Sequence, residues 1–243
     1  MVKNYAHRGF RSKYPENTLL AFEKSIAANC DGIEFDVHLT KDSEVVIIHD
    51  ETLEGTTNGK GRIKDHTLAE LKILDASYKF NAVVGHREIP TLKEYFEFVT
   101  DQNIISNIEL KTGIYEYPGI EEKVHNLIME YKLEEKVLIS SFNHESILRM
   151  KEIAPSIKCG LLFDTWLINP EKYVKNLGIE CYHPVGYSMR QEIVDALKNE
   201  GIIVNVWVGK EPVDFNALIE MGIDGIITDY PDVIDEILNA KIV

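Results

Sequence analysis

Short apolar runs alternate along the chain with stretches whose apolar residues recur at helical spacing. Residues 4–7, 32–39, 44–49, 104–110, 137–142, 158–163, 179–183, 202–208 and 224–230 have the length and composition of strands. Between most of them the period changes to about 3.6. Leu19, Phe22 and Ile26 follow Asn17, which reads as a helix N-cap, and Ile120, Val124, Leu127, Ile128 and Tyr131 form one helical stripe. Strand–helix alternation of this kind predicts a parallel sheet with helices outside it. Nine strands are one too many for an eight-stranded barrel. Only Thr40, Lys41, Asp42 and Ser43 separate the second run from the third, too few for a parallel crossover. The run 44–49 must therefore turn back antiparallel as an excursion, and the remaining eight predict an α/β fold, a (β/α)8 barrel. Residues 51–90 are polar and punctuated by Gly55, Gly59 and Gly61, so they read as an insertion at the barrel mouth. With no repeat and no linker in view, 1–243 is expected to form a single domain.

The strand 32–39 carries more than architecture. Ile33, Phe35, Val37 and Leu39 fall on one face, and Glu34, Asp36 and His38 on the other. In a (β/α) barrel the apolar face packs under the helices, and inward residues near a strand's C-terminal end face the mouth, where active sites are built. The pattern recurs, with Asn107, Glu109 and Lys111 opposite Ile108 and Leu110, and with Asn205 and Trp207 opposite Val204, Val206 and Val208. Three carboxylates converging at one mouth repel one another unless a cation or protons intervene. Glu34, Asp36 and Glu109 offer hard oxygen ligands, which favour Mg²⁺ or Ca²⁺ over a thiolate-bound metal. His7 and His49, each at a strand end, add a pair suited to general acid–base chemistry near neutral pH. Taken singly, the acids also fit solvated strand ends, Arg8 a surface cation, Lys111 a partner of Glu109, and Trp207 a core filler. It is their convergence that points to a site.

Charge and composition narrow the partners. The chain has a formal charge of −14, which argues against nucleic acid and anionic membrane surfaces, so an anionic substrate needs a locally positive site. A hydrophobic fraction of 44% with 27% charged residues is that of a soluble globular protein. The first ten residues lack an apolar signal core and no run approaches transmembrane length, so no membrane anchor is expected. Cys30, Cys159 and Cys181 are widely spaced and odd in number, and read as reduced thiols of a cytoplasmic protein.

The ordered motifs AHRGF, PENT, GIEFDVHLTKD, VVIIHDETL, TTNGKG, IELK, VNVW and DGIITDYP resemble the glycerophosphodiester phosphodiesterase family over nearly the full chain. The resemblance implies a barrel of the phosphatidylinositol-phospholipase-like phosphodiesterase type that hydrolyses small glycerophosphodiesters to sn-glycerol 3-phosphate and an alcohol. It further implies catalytic roles for His7 and His49, metal ligation by Glu34, Asp36 and Glu109, phosphate contacts from Arg8 and Lys111, and a substrate-facing Trp207. Phe142, ending the run 137–142, is a further candidate for substrate contact. The chain departs from the family pattern at three places: Ser43 stands for a glycine, Gly55 for an arginine, and Val208, Gly209 and Lys210 for a more common tripeptide. Two rivals remain. A related barrel phosphodiesterase acting on intact lipids would be expected to show an exposed apolar anchor; a catalytically silent barrel would bind a phosphorylated metabolite.

Overall fold

The computed structural model describes residues 1–77, 80–209 and 212–241. Lys210 of the departing tripeptide lies outside these residues. The strands are β1 (Lys3–His7), β2 (Gly32–Leu39), β3 (Val45–Ile47), β4 (Ile105–Leu110), β5 (Val137–Ser141), β6 (Lys158–Phe163), β7 (Cys181–Pro184), β8 (Ile203–Trp207) and β9 (Gly225–Thr228). The helices are α1 (Leu19–Ala27), α2 (Leu68–Lys72), α3 (Asn81–Val84), α4 (Leu92–Val99), α5 (Ile120–Tyr131), α6 (His144–Ile153), α7 (Pro170–Asn176), α8 (Gln191–Asn199), α9 (Phe215–Glu220) and α10 (Pro231–Ala240). The sheet order is β1-β9-β8-β7-β6-β5-β4-β2-β3, and a further β1–β2 pairing closes it. Every pairing around the ring is parallel, so the chain forms the (β/α)8 barrel expected of its alternation.

The surplus strand lies where the short turn requires. β3 pairs antiparallel with the end of β2, Val37 opposite Ile47 and Leu39 opposite Val45. It takes the edge of β2 that β1 vacates beyond the His7–Glu34 pairing. Residues 51–90 carry more apolar content in space than their polar sequence suggests. Val46, Ile48, Leu53, Ile63, Leu71, Ala76 and Ile89 bury a second small core separate from that of the barrel. Within it α2 begins in a capping box, with Thr67 accepting from the Glu70 amide and Glu70 reaching back.

The main core lies between barrel and helices. Ile33, Phe35, Val37 and Leu39 all point into it and are buried. Phe22 of α1 meets Tyr95 of α4 edge-on and Phe35 packs against it at a tilt, at centroid distances of 5.1 and 4.3 Å. Inside the barrel the residues turn polar: Ser140 donates to Asn107, and Asn205 pairs with His183 at 3.0 Å. Gly160 makes room for that layer, since a Cβ there would come within 2.7 Å of the His183 ring. One expectation is corrected. Thr18, not Asn17, caps α1: its hydroxyl accepts from the Ala21 amide, while Asn17 sits one residue earlier at φ 56°. That left-handed turn sends the Asn17 side chain to the barrel mouth instead.

Candidate active site

The C-terminal ends of the strands surround a cavity of about 500 Å³. Every candidate residue named from the sequence lines it except Asp36, which is wholly buried. Glu34, Asp36 and Glu109 bring one carboxylate oxygen each to within 4.8 Å of one another. The register explains this, because Asp36 pairs directly with Glu109 across β2 and β4 and Glu34 is two residues back on the same face. Asn17 donates to Asp36 Oδ2 at 2.9 Å, and Lys111 Nζ lies 3.1 Å from Asp36 Oδ1 and 2.6 Å from Glu109 Oε1. The Arg8 amide donates to Glu34 at 3.1 Å, while its guanidinium lies 3.5 Å from Asp36 and 2.8 Å from Glu16.

Three buried acids beside two buried cations do not balance. Burial, with Asp36 and Glu109 beside it, pushes Glu34 well above the usual carboxylate range, and burial raises Glu109 as well. Burial acts on Asp36 in the same direction, but Lys111, His49 and Arg8 overcome it and hold that carboxyl low. Charge on two of the three acids is thus disfavoured unless a further positive charge stands beside them. An all-oxygen, anionic and buried donor set fits a hard divalent cation.

Both histidines are held in the same way at Nδ1. His7 Nδ1 lies 2.6 Å from Asp229 Oδ1, and His49 Nδ1 lies 2.7 Å from Asp50 Oδ1. A carboxylate only accepts, so each Nδ1 carries a proton, and whenever the ring is neutral its Nε2 is the bare acceptor. Nε2 of His7 lies 4.0 Å from Glu34. Burial and the neighbouring Arg8 lower the His7 pKa, opposed in part by Asp229. Asp229 is itself gripped by Arg11 at 3.1 Å, and Arg11 bonds Glu16 at 2.6 Å. On the opposite wall Trp207 donates its indole N–H to the Phe163 carbonyl at 3.1 Å, and Phe142 meets its ring edge-on at 6.0 Å. Trp207 is neither filler nor free rotor, and Arg8 is no surface cation.

Several residues at this site escaped the sequence reading. Asp229 and Asn17 lie within the DGIITDYP and PENT motifs, which was the available signal, yet their contacts could not be read from them. His38 donates to the His49 carbonyl at 3.0 Å and meets the Tyr117 hydroxyl at 3.1 Å; burial pushes its pKa down to about 4. Gly55 gives up its place to Asp50, whose Oδ2 would lie 2.1 Å from a Cβ there. The rim also differs from expectation. The loop after β6 exposes Trp166 (54%) and Ile168 (86%), apolar surface where none was foreseen. Arg190 lies over Trp166 at 5.1 Å, and Tyr187 packs beside it.

A closed barrel with carboxylates, imidazoles and cations gathered at its C-terminal mouth has the build of a barrel hydrolase for a charged small molecule. The model of the glycerophosphoryl diester phosphodiesterase family matches residues 7–233, and the chain belongs to that family of enzymes. It is 45% identical to a glycerophosphodiester phosphodiesterase of Caldanaerobacter subterraneus subsp. tengcongensis over 93% of each chain. It is 42% identical to another from Bacillus altitudinis over 96% of each. Among solved structures, an Oleispira antarctica phosphodiesterase in complex with the product sn-glycerol-3-phosphate superposes with a TM-score of 0.84 at 28% identity, covering 97% of this chain and 96% of that one. Among the described residues no helix is long and apolar enough to cross a membrane.

Proposed function

We propose that this enzyme hydrolyses small, deacylated glycerophosphodiesters such as glycerophosphocholine or glycerophosphoethanolamine to sn-glycerol 3-phosphate and the free alcohol. The observation that carries the reading is the meeting, at the floor and walls of one cavity, of a cluster of three buried carboxylates, two of which line it, with two imidazoles that each bond an aspartate through Nδ1. Glu34, Asp36 and Glu109 hold a divalent cation, Mg²⁺ or Ca²⁺, which when bound supplies positive charge to the phosphoryl oxygens. Arg8 and Lys111 add their own charge there, so a strongly acidic protein (formal charge −14) acquires a local site for an anion. Charge grows on the phosphoryl oxygens as the transition state forms, so these fixed cations favour that state over the bound substrate.

His7 and His49 move the protons. A neutral imidazole whose Nδ1–H is held by a carboxylate presents Nε2 as a base, and once protonated the same atom is an acid. One ring deprotonates the attacking hydroxyl and the other protonates the leaving alkoxide. Attack by water gives glycerol 3-phosphate directly; attack by the glycerol 2-hydroxyl gives a cyclic phosphodiester, which a water then opens as the second ring takes its proton and the first returns one to the 2-oxygen. We assign the acid to His49. Trp207 and Phe142 wall the apolar flank of the substrate. The chain works as a single catalytic unit, 1–243, with 51–90 as an insertion at its mouth. Cys30, Cys159 and Cys181, all free and buried, support a reducing cytoplasmic setting.

The test is release of glycerol 3-phosphate from a panel of glycerophosphodiesters, with EDTA and with Mg²⁺ or Ca²⁺ restored. Activity lost in chelator and regained with cation is expected, and Ala at Glu34, Asp36 or Glu109 should weaken metal binding and turnover together. Full activity in chelator would remove the cation from the mechanism. A second reading, hydrolysis of intact lipids, draws on the exposed Trp166 and Ile168. Comparable rates on glycerophosphocholine and micellar phosphatidylcholine would favour it; a strong preference for the former is expected.

A further inference from the structure

His38 is a fully buried histidine that the proton transfers above do not use. Its two ring nitrogens are both engaged. The His49 carbonyl can only accept, so Nε2 at 3.0 Å must donate, and Nδ1 is then a bare acceptor for the Tyr117 hydroxyl at 3.1 Å. The tautomer follows from the partners alone. Tyr117 stands edge-on to the imidazole at 5.5 Å and 87°, and packs on Tyr115 at 6.1 Å. Tyr115 in turn lies under Lys64 at 4.8 Å and Arg62 at 5.9 Å, both from the segment inserted after β3. The end of β2 and the β4–α5 loop meet at this ring, and the insertion backs the loop through Tyr115.

The place they converge on is the one that needs support. His49 lies in a bend just past β3, beyond the ladder that holds Val45–Ile47. Two hydrogen bonds tie this stretch to β2: the Ile48 amide to the Asp36 carbonyl at 3.0 Å, and His38 to the His49 carbonyl. The partner of the His49 ring, Asp50, is half exposed. We propose that His38, braced by Tyr117, is a positioning residue that sets the backbone of His49 and so aims its Nε2 into the cavity. The inference rests on the reading of His49 as an acid–base group. A glutamine at 38 also carries an N–H donor; a phenylalanine keeps the ring's bulk and removes it.

The experiment uses the full chain with its cation, glycerophosphocholine as substrate, and nitrogen-resolved NMR spectra of the imidazoles. His38→Phe should lower kcat about 10- to 100-fold, the scale on which an ångström of misplacement acts, with KM changed less than about twofold. In a His49→Ala background the same change should cost nothing further, because its effect passes through His49. His38→Gln should recover most of the loss, and Tyr117→Phe should show a smaller loss of the same kind. Unchanged kcat in His38→Phe, or an undiminished loss in the His49→Ala background, would overturn the proposal. The NMR arm needs no turnover. His38→Phe, or Tyr117→Phe should the former not fold, is expected to shift and broaden the His49 ring signals and spare those of His7; unmoved His49 signals overturn the inference. If the wild-type chain releases no glycerol 3-phosphate, the proposed function fails by itself, and the spectra still decide what His38 does to His49.

Discussion

His7 and His49 face one cavity with the same Nδ1–carboxylate bond, yet the structures behind them are unlike. His7 ends a barrel strand, and its partner Asp229 comes from the far end of the chain, 222 residues away, with Arg11 and Glu16 behind it. His49 hangs on an excursion, bonds its own neighbour Asp50, and leans on a small core separate from the barrel. The first arm is set by the closure of the barrel itself, and the second by local turns and by His38. A rigid arm suits the group that meets the attacking oxygen. An arm on a smaller unit can follow the departing alcohol.

The largest expected effect separates the two arms chemically. On glycerophosphocholine, Ala at either histidine should cost roughly two to four orders of magnitude in rate. On a glycerol nitrophenyl phosphodiester, whose leaving group needs no proton, His49→Ala should regain most activity and His7→Ala should not. Equal losses for both variants on both substrates would sink the division of labour.

Next come the carboxylates behind the rings. Asp229→Asn removes an anion held by Arg11 and should lower kcat about 10- to 100-fold, as losses behind a catalytic ligand commonly do. Asp50→Asn, at a half-exposed carboxyl that water can replace, should cost only a few-fold. A larger loss at Asp50 than at Asp229 would reverse the comparison drawn above.

Stability should divide along the same line. Leu53 and Phe35 are both fully buried, one in each core. Leu53→Ala should cost about 2–5 kcal/mol and Phe35→Ala about 3–5 kcal/mol. Hydrogen exchange tells them apart: Leu53→Ala should open the amides of residues 45–76 while those of β1 and β9 stay protected, and Phe35→Ala should open both. Uniform opening by Leu53→Ala would mean that the excursion has no local stability of its own.

The smallest effect is a pH dependence of the barrel interior. Burial lowers His183 from 6.5 to about 3. The unfolded chain therefore takes up a proton near 6.5 while the folded barrel keeps this ring neutral, so protons favour unfolding. Stability is full above about pH 6.5 and falls towards pH 3, by at most about 1.4 kcal/mol per pH unit. Denaturant titrations of the wild type and His183→Asn between pH 7 and 4 should diverge in slope; parallel curves would show that the ring protonates in place.

Much of this was open to a reader of the sequence. A period of two in 32–39 separates Ile33, Phe35, Val37 and Leu39 from Glu34 and Asp36, because a pleated strand leaves a side chain no third direction. The brevity of residues 40–43 forces β3 to run antiparallel, because a parallel return needs a longer path. Local spacing also announces the two histidines, the acids, Lys111 and Trp207 as residues at strand ends. Other features depend on which distant atoms the closed barrel brings into contact. Nothing near Asn17 indicates that a left-handed turn hands the cap to Thr18 and its own amide to Asp36. Asp229 reaches His7 only because β9 closes against β1. The exposure of Trp166 and Ile168 follows from how the loop after β6 lies on the rim, not from their polarity. Side-chain periodicity is a property of neighbours along the chain, and the sequence determines it; hydrogen-bond partners two hundred residues apart are chosen by barrel closure, and only the tertiary structure decides them.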